Sequence, residues 1–523
     1  MLKLRLSTCA LLLILTACAF ARADEAASPP MATHARPLQM TPVPTLQRDV
    51  QPVATPQPTT TDAPVAIRCP AEVDAPPVRY TIVAAVNFAQ HSLQAEQRVE
   101  YVNRSVQALD QVVMTVRPNS VPGLFSLESA KLGTDDLPHK LVGQRLTLDL
   151  PQQLDPGCAI QFSLSFELQI PAMDRDGADI RKGYLGYSSR QTNLGHWTPT
   201  LAVRQGDAWL LHDEIPIGEQ GVLDSADWDV TLNITDAPDG LQVAAPGNIE
   251  TSEPGHWRYR LPAARDFSLS MSADYNLTTS ETEGGVTIEM YTFDDALIQT
   301  DAGAINSPAF ALDVATKSLG MYADLFGPLS YSRMVVVQGD FPDGMEFSGL
   351  VFVGGEYFRG FGGPTSYLMM ISAHEIAHQW WYGRVGNDQA LDPWLDEALA
   401  TYSEYAFVEE YFPALKDWWW SFRVDNFSPE GFVDSTVYEF ETRREYINAV
   451  YLRGVRMLQD LRSDLGTEAF FDWLRRYADA GAGRLVTPEF FWSLLTPEQL
   501  NATAGTREKY LKQPQIVVIA PGN

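Results

Sequence analysis

Histidine and cysteine are scarce in this 523-residue chain, with 8 and 4 copies, and the places where they fall say more than the composition does. Cys9 and Cys18 lie among the first twenty residues, which leaves Cys69 and Cys158 for everything after. So small a supply excludes a disulfide-dense scaffold and a metal cluster built from cysteines. Positive charge is short too: 38 Lys+Arg stand against 66 Asp+Glu, a formal charge of −28. A polyanion is repelled by such a chain, so nucleic acid is excluded as a partner. Membrane-spanning apolar runs are missing, since the stretch from Ala10 to Leu15 is too short to cross a bilayer.

What is present is globular. Hydrophobic residues make up 45% and aromatic residues 11% of the chain, enough for two or three domains with proper cores. Lys3 and Arg5 ahead of the short apolar stretch read as an export signal, which predicts an extracytoplasmic protein, either lipid-anchored at a bacterial membrane surface or secreted. Two processing sites compete. Leu15-Thr16-Ala17-Cys18 has the form of a lipobox and would make Cys18 a lipidated membrane tether, whereas Ala21-Arg22-Ala23 before Asp24 suits ordinary signal peptidase. The tether-like stretch that follows favours lipidation. In an oxidising compartment Cys69 and Cys158 form an even pair, read as a disulfide, the alternative being two buried thiols.

Residues 1–23 are thus assigned to the signal, and residues 24–77, rich in Pro and Thr without an apolar period, to an extended linker. From 78 to 275 apolar residues alternate with period two. Ile160, Phe162, Leu164, Phe166, Leu168 and Ile170 share one face, Trp228, Val230, Leu232 and Ile234 repeat the pattern, and Leu146, Leu148 and Leu150 add a shorter strand. An all-β sandwich or saddle follows, with nothing catalytic standing out in it. From 276 to 500 buried strands at Met334–Gln338 and Leu350–Gly354 give way to helical periods from Thr365 onward, with Thr487 and Pro488 opening a late helix. This is an α+β domain. Residues 501–523 read as a short polar tail.

The chemistry concentrates in His374-Glu375-Ile376-Ala377-His378. Residues i and i+4 lie one turn apart on a helix face, so two imidazoles at this spacing can meet one ion. Eighteen residues on, Glu397 sits inside Pro393-Trp394-Leu395-Asp396-Glu397-Ala398, where Pro393 can open a second helix. His374, His378 and Glu397 make the His₂Glu set of a catalytic zinc ion, one per chain, with a fourth position left for water. Glu375 is then the general base for that water. Thr401, one turn after Glu397, is placed either to hydrogen-bond a zinc ligand or simply in the core. Trp418-Trp419-Trp420 reads as packing rather than as a pocket wall, and Gly354-Gly355 as a turn.

With that motif, its eighteen-residue spacing, and the flanks His378-Gln379-Trp380-Trp381-Tyr382-Gly383 and Trp394-Leu395-Asp396-Glu397, the chain resembles the aminopeptidase N family of gluzincins, which includes leukotriene A4 hydrolase. The resemblance runs over residues 78–500 and implies a β saddle followed by a thermolysin-like catalytic domain. It further implies that Met345 and Glu346, in Asp343-Gly344-Met345-Glu346-Phe347, bind substrate, with Glu346 taking the free α-ammonium of a peptide. Tyr451, in Tyr451-Leu452-Arg453-Gly454, would stabilise the oxyanion, and Tyr446 would be a packing companion. Phe347 departs from the family's asparagine, and the family's long C-terminal helical domain has no counterpart after residue 500. The expected activity is removal of N-terminal residues from peptides. An endopeptidase or other hydrolase with an open cleft, and a surface-tethered binding protein without turnover, are the alternatives.

Overall fold

The computed structural model describes residues 67–71, 76–173, 181–300 and 303–515. Cys18, the export segment and most of the linker lie outside them. The linker reading stops earlier than expected: Ile67–Arg68 already pairs antiparallel with Ala159 and Ile160, and a Cys69–Cys158 disulfide fastens it there. Closing a loop whose ends are 89 residues apart removes unfolded-state entropy worth about 4.6 kcal/mol in the chain-entropy account.

Period-two alternation builds the N-terminal layers. Val78–Asn87 and Ser92–Val102 form a hairpin, Ala159–Gln169 pairs with its second strand, and Ala226–Thr235 runs parallel to its first. Ile160, Phe162, Leu164, Phe166, Leu168 and Ile170 are each at most 2% exposed, so the apolar face read from the sequence is the one that turns inward. Burying a side chain of this size stabilises by roughly 1.5–3 kcal/mol. Opposite them a four-stranded sheet through Leu109–Thr115 and Arg145–Leu154 contributes Val112, Met114, Leu146 and Leu148 to the same core.

A separate five-stranded sheet begins at Asn276. Its order is Asn276–Glu281, Thr287–Thr292, Arg333–Gly339, Leu350–Gly354 and, at the edge, Gly344–Met345. The three inner strands are parallel, and Arg333–Gly339 and Leu350–Gly354 are buried along their whole length, as expected where both faces are covered. Ser307–Phe326 and Tyr367–Ala377 cover one face, and Tyr184, Ala244, Tyr275 and Phe341 pack on the other. Gly354 and Gly355 do not form a loop turn: the strand ends at Gly354 and a short helix, Gly355–Arg359, starts directly. Thr487 caps the late helix through the amide of Phe490, with Pro488 at its first position.

The polar tail is a misreading. Pro497–Ala502 and Ala504–Tyr510 are helical, and Tyr510 and Leu511 are buried in the C-terminal core, because their apolar positions pack onto Arg453–Leu465. Fully buried Arg265 links the β layers to the C-terminal region, donating to the carbonyls of Leu223 and Arg484 and to that of Tyr382. No helix among the described residues is long and apolar enough to cross a membrane.

Candidate active site

Tyr367–Ala377 carries the first half of the site. Ala373, Ile376 and Ala377 bury its back face completely, which turns His374 and Glu375 toward the cleft, and His378 follows at the cap position with its amide on the His374 carbonyl. Trp394–Tyr411 carries the second. Pro393 stands at its cap, and the amide of Glu397 bonds the Pro393 carbonyl, so the carboxylate emerges in the first turn.

Three ligand atoms converge there. His374 Nε2 and His378 Nε2 are 3.1 Å apart, and Glu397 Oε2 lies 3.3 Å from the first and 3.4 Å from the second. Bonds of about 2.0–2.1 Å to a tetrahedral ion place neighbouring donors roughly 3.3 Å apart, so this near-equilateral triangle fits zinc. His378 Nδ1 bonds the Trp381 carbonyl at 2.9 Å, which assigns the proton to Nδ1 and the lone pair to Nε2. Burial alone would raise the Glu397 carboxyl, but His378 and His374 hold it well below the ordinary range.

Behind His374 lies a residue that sequence reasoning missed. Glu404 faces His374 Nδ1 at 3.7 Å and is itself held by Trp419 Nε1 at 2.6 Å and Arg423 Nε at 3.4 Å. Burial opposes its charge, while Arg423 and His374 outweigh that and lower its carboxyl. Its signal was the spacing, seven residues or two turns after Glu397 on one helix face. Thr401 does not touch the ligand carboxylate: its hydroxyl donates to the main-chain carbonyl of Glu397 at 2.7 Å, the back-bond a buried helical Thr makes.

Glu375, Glu346, Met345 and Tyr451 line the same cleft as the triad, a cavity of about 170 Å³. Burial, with Glu346 and Glu397 adding like charge, pushes the Glu375 carboxyl well up despite the opposing His378. Glu346 follows the edge strand Gly344–Met345 and accepts from Gln389 Nε2 at 3.3 Å; the same nitrogen reaches Asp396 at 3.1 Å. Burial also raises Glu346, against the pull of His378. The Phe347 ring leaves the cleft altogether and packs edge-on against Tyr184, His196 and Phe352, in space that Gly195 leaves open.

Tyr451 stacks on His374 with ring centroids 5.9 Å apart and planes 9° from parallel. It sits in a π-helical insertion, Ile447–Leu452, between Arg443–Tyr446 and Arg453–Leu465, a distortion often found at functional sites. Burial, then Glu397 and Tyr446, keep its phenol protonated far above the usual range. Tyr446 packs edge-on against Tyr451 and also lines the cleft. Of the tryptophans, Trp419 is buried in the core and Trp418 and Trp420 pack against it, away from the cleft. The β layers, read as chemically silent, do reach the cleft, through Tyr184, Pro216, Gly218 and Glu219. Irregular loops carry these residues, so no period marked them.

Residues 310–507 match the Peptidase family M1 domain. Among curated proteins, the chain is 28% identical to Aminopeptidase M1-D of Oryza sativa subsp. japonica over 215 residues, 38% of this chain and 24% of that protein. It is 27% identical to Aminopeptidase N of Lactococcus lactis subsp. lactis over 267 residues, 46% of this chain and 30% of that protein. The chain therefore spans less than a third of the length of these curated relatives. The fold matches the crystal structure of the M1 zinc metallopeptidase from Deinococcus radiodurans, with a TM-score of 0.62 at 18% identity, covering 86% of this chain and 97% of that one. The segment 310–507 is thus similar to the Peptidase family M1 domain, and the fold is that of a two-domain M1 zinc metallopeptidase.

Proposed function

We propose that the chain is a zinc-dependent aminopeptidase, with one zinc ion held by His374, His378 and Glu397. The observation that carries this is the placement of Glu346. Its buried carboxylate shares one cleft with the triad and lies on the His378 side of it, where it can pair with a peptide's free α-ammonium and set the cut one residue in. Zinc at the triad supplies a Lewis acid and an acidified water. Glu375 accepts a proton from the attacking water and delivers it to the departing amine. Its raised affinity for a proton suits both halves of that task. The protonated phenol of Tyr451 donates a hydrogen bond to the developing oxyanion. Met345 lines the floor beside Glu346.

A peptidase of this kind acts outside the cytoplasm in our reading, tethered through lipidated Cys18. The Cys69–Cys158 disulfide supports an oxidising compartment. Mass spectrometry of the mature N-terminus would find a diacyl-cysteine at residue 18; a start at Asp24 would sink the tether. For the activity, zinc content and turnover are measured together for wild type and Glu375→Gln. The variant should keep its metal and lose turnover by about 10²-fold or more. A wild-type protein that hydrolyses an N-acetylated peptide as fast as the free amine is not an aminopeptidase.

A further inference from the structure

The segment that carries Glu346 is fixed through its main chain. Gln379, the residue after His378, accepts from the Gly349 amide at 2.8 Å and donates to the Phe347 carbonyl at 3.1 Å. The Ser348 amide donates to Asp266 at 3.3 Å. These bonds set where Glu346 leaves the backbone, and they leave its side-chain torsions open. Gln389 holds the carboxylate itself, donating from Nε2 to Glu346 Oε1 at 3.3 Å. The same nitrogen donates to Asp396 Oδ2 at 3.1 Å, so both N–H groups of one amide are engaged by carboxylates.

Gln389 comes from the connection between His378 and Trp394–Tyr411, where a long amide would ordinarily point to solvent, yet it is 5% exposed. Its turn is built to face inward. Asp388 Oδ1 accepts from the amides of Ala390 and Leu391 at 3.1 and 3.0 Å, and its Oδ2 meets His212 Nε2 of the β layers at 2.8 Å. The main-chain amide of Gln389 donates to the Gly221 carbonyl at 3.1 Å. Gly221 belongs to the same β-layer loop as Gly218 and Glu219, which line the cleft. Its lack of a side chain admits the glutamine: a Cβ there would stand 2.3 Å from Gln389 Oε1. An apolar side chain would fill this buried space equally well if packing were the whole role.

We infer that Gln389 is the positioning residue for Glu346: by fixing one carboxylate oxygen it directs the other at the substrate's α-ammonium, and so sets this chain's selectivity for a free amino terminus. The inference rests on the aminopeptidase reading of Glu346. An ammonium paired out of line shifts the scissile carbonyl away from the zinc ligands, which is why the direction of one carboxylate matters. Gln389 itself touches no reacting atom.

The test uses the zinc-loaded chain with alanine p-nitroanilide and its desamino analogue, propionyl p-nitroanilide, with rates taken per bound zinc. Wild type, Gln389→Met, Glu346→Gln and the double variant are compared. Gln389→Met keeps the length and removes the donor. It should lower kcat/KM for the free amine by about tenfold or more, through KM, and leave the desamino analogue unchanged. In the Glu346→Gln background the same substitution should change kcat/KM by less than about twofold, because the charge it positions is gone. Gly221→Ala keeps Gln389 and displaces its amide from the β-layer side. It should reproduce the loss, and it carries the test if Gln389→Met does not fold. Equal losses on both substrates, or in both backgrounds, would make Gln389 a support for the fold or for the Asp396–Glu397 turn; an unchanged kcat/KM would leave it a packing residue. Either result overturns the inference. A wild type that cleaves both substrates equally fails earlier, at the Glu346 reading.

Discussion

A Cβ placed on Gly344 would lie 2.1 Å from Oε1 of Glu375. The edge strand and the general base therefore pack main chain against carboxylate, with no room for even a methyl group. Gly344→Ala must displace one of the two, and the strand is anchored by its pairing with Leu350–Gly354. The carboxylate moves instead. Displacement by about 1 Å costs on the order of 10²-fold in rate when positioning carries the catalysis. Turnover should fall by about 10–10²-fold with zinc content and melting temperature nearly unchanged; full activity in the variant would show that the base does not use this seat.

Tyr451 offers a sharper separation of binding from chemistry. Its phenol stays protonated over the working range, burial being the main cause, so it keeps a proton to donate. Removing one oxyanion donor costs about 10²–10³ in kcat. Tyr451→Phe should show that loss with KM nearly constant, since the ring that stacks on His374 is kept. A change confined to KM would move Tyr451 from the reaction to substrate binding.

Glu404 and Thr401 make a contrasting pair on one helix. Glu404 faces the free nitrogen of a ligand imidazole, and such partners typically contribute 10–100-fold to metal affinity. Glu404→Gln should weaken zinc by that order in a chelator competition. Thr401→Val should leave zinc affinity alone, because its hydroxyl bonds only the main chain of Glu397. Equal effects would make helix stability, not ligand orientation, the common cause.

Legibility followed regularity. The alternation of residues 159–170 and the helical spacing of the two histidines name their own partners, because period fixes face. Glu404 was equally regular, yet nothing in its spacing distinguishes a support from a surface acid. Arg423 and Tyr451 sit in π-helical insertions, which shift the face a residue presents and defeat a 3.6-residue reading; Tyr451 was reached only through resemblance. Tyr184 and Glu219 come from irregular loops of the β layers. The helix Ala504–Tyr510 was hidden by its polar exterior, since its buried edge of Thr506, Arg507 and Tyr510 is short and mostly polar.

Stability should carry its own pH signature, away from the metal. Asp392 precedes Trp394–Tyr411, mostly buried, and burial first, then the like charges of Asp388, Glu489 and Asp434, raise its carboxyl from 3.8 to about 7. An acid whose native affinity for protons exceeds its unfolded affinity stabilises the fold while protonated. That contribution is whole below the unfolded value and is lost as pH climbs from about 4 to about 7. Asp392→Asn removes the ionisation, so it should gain little near pH 4.5 and up to about 2–4 kcal/mol near pH 8, the upper figure holding if the full shift is expressed. Urea unfolding of both proteins at the two pH values reads the difference directly. A gain that is equal at both, or larger in acid, would mean that the four carboxylates are not crowded as this arrangement requires.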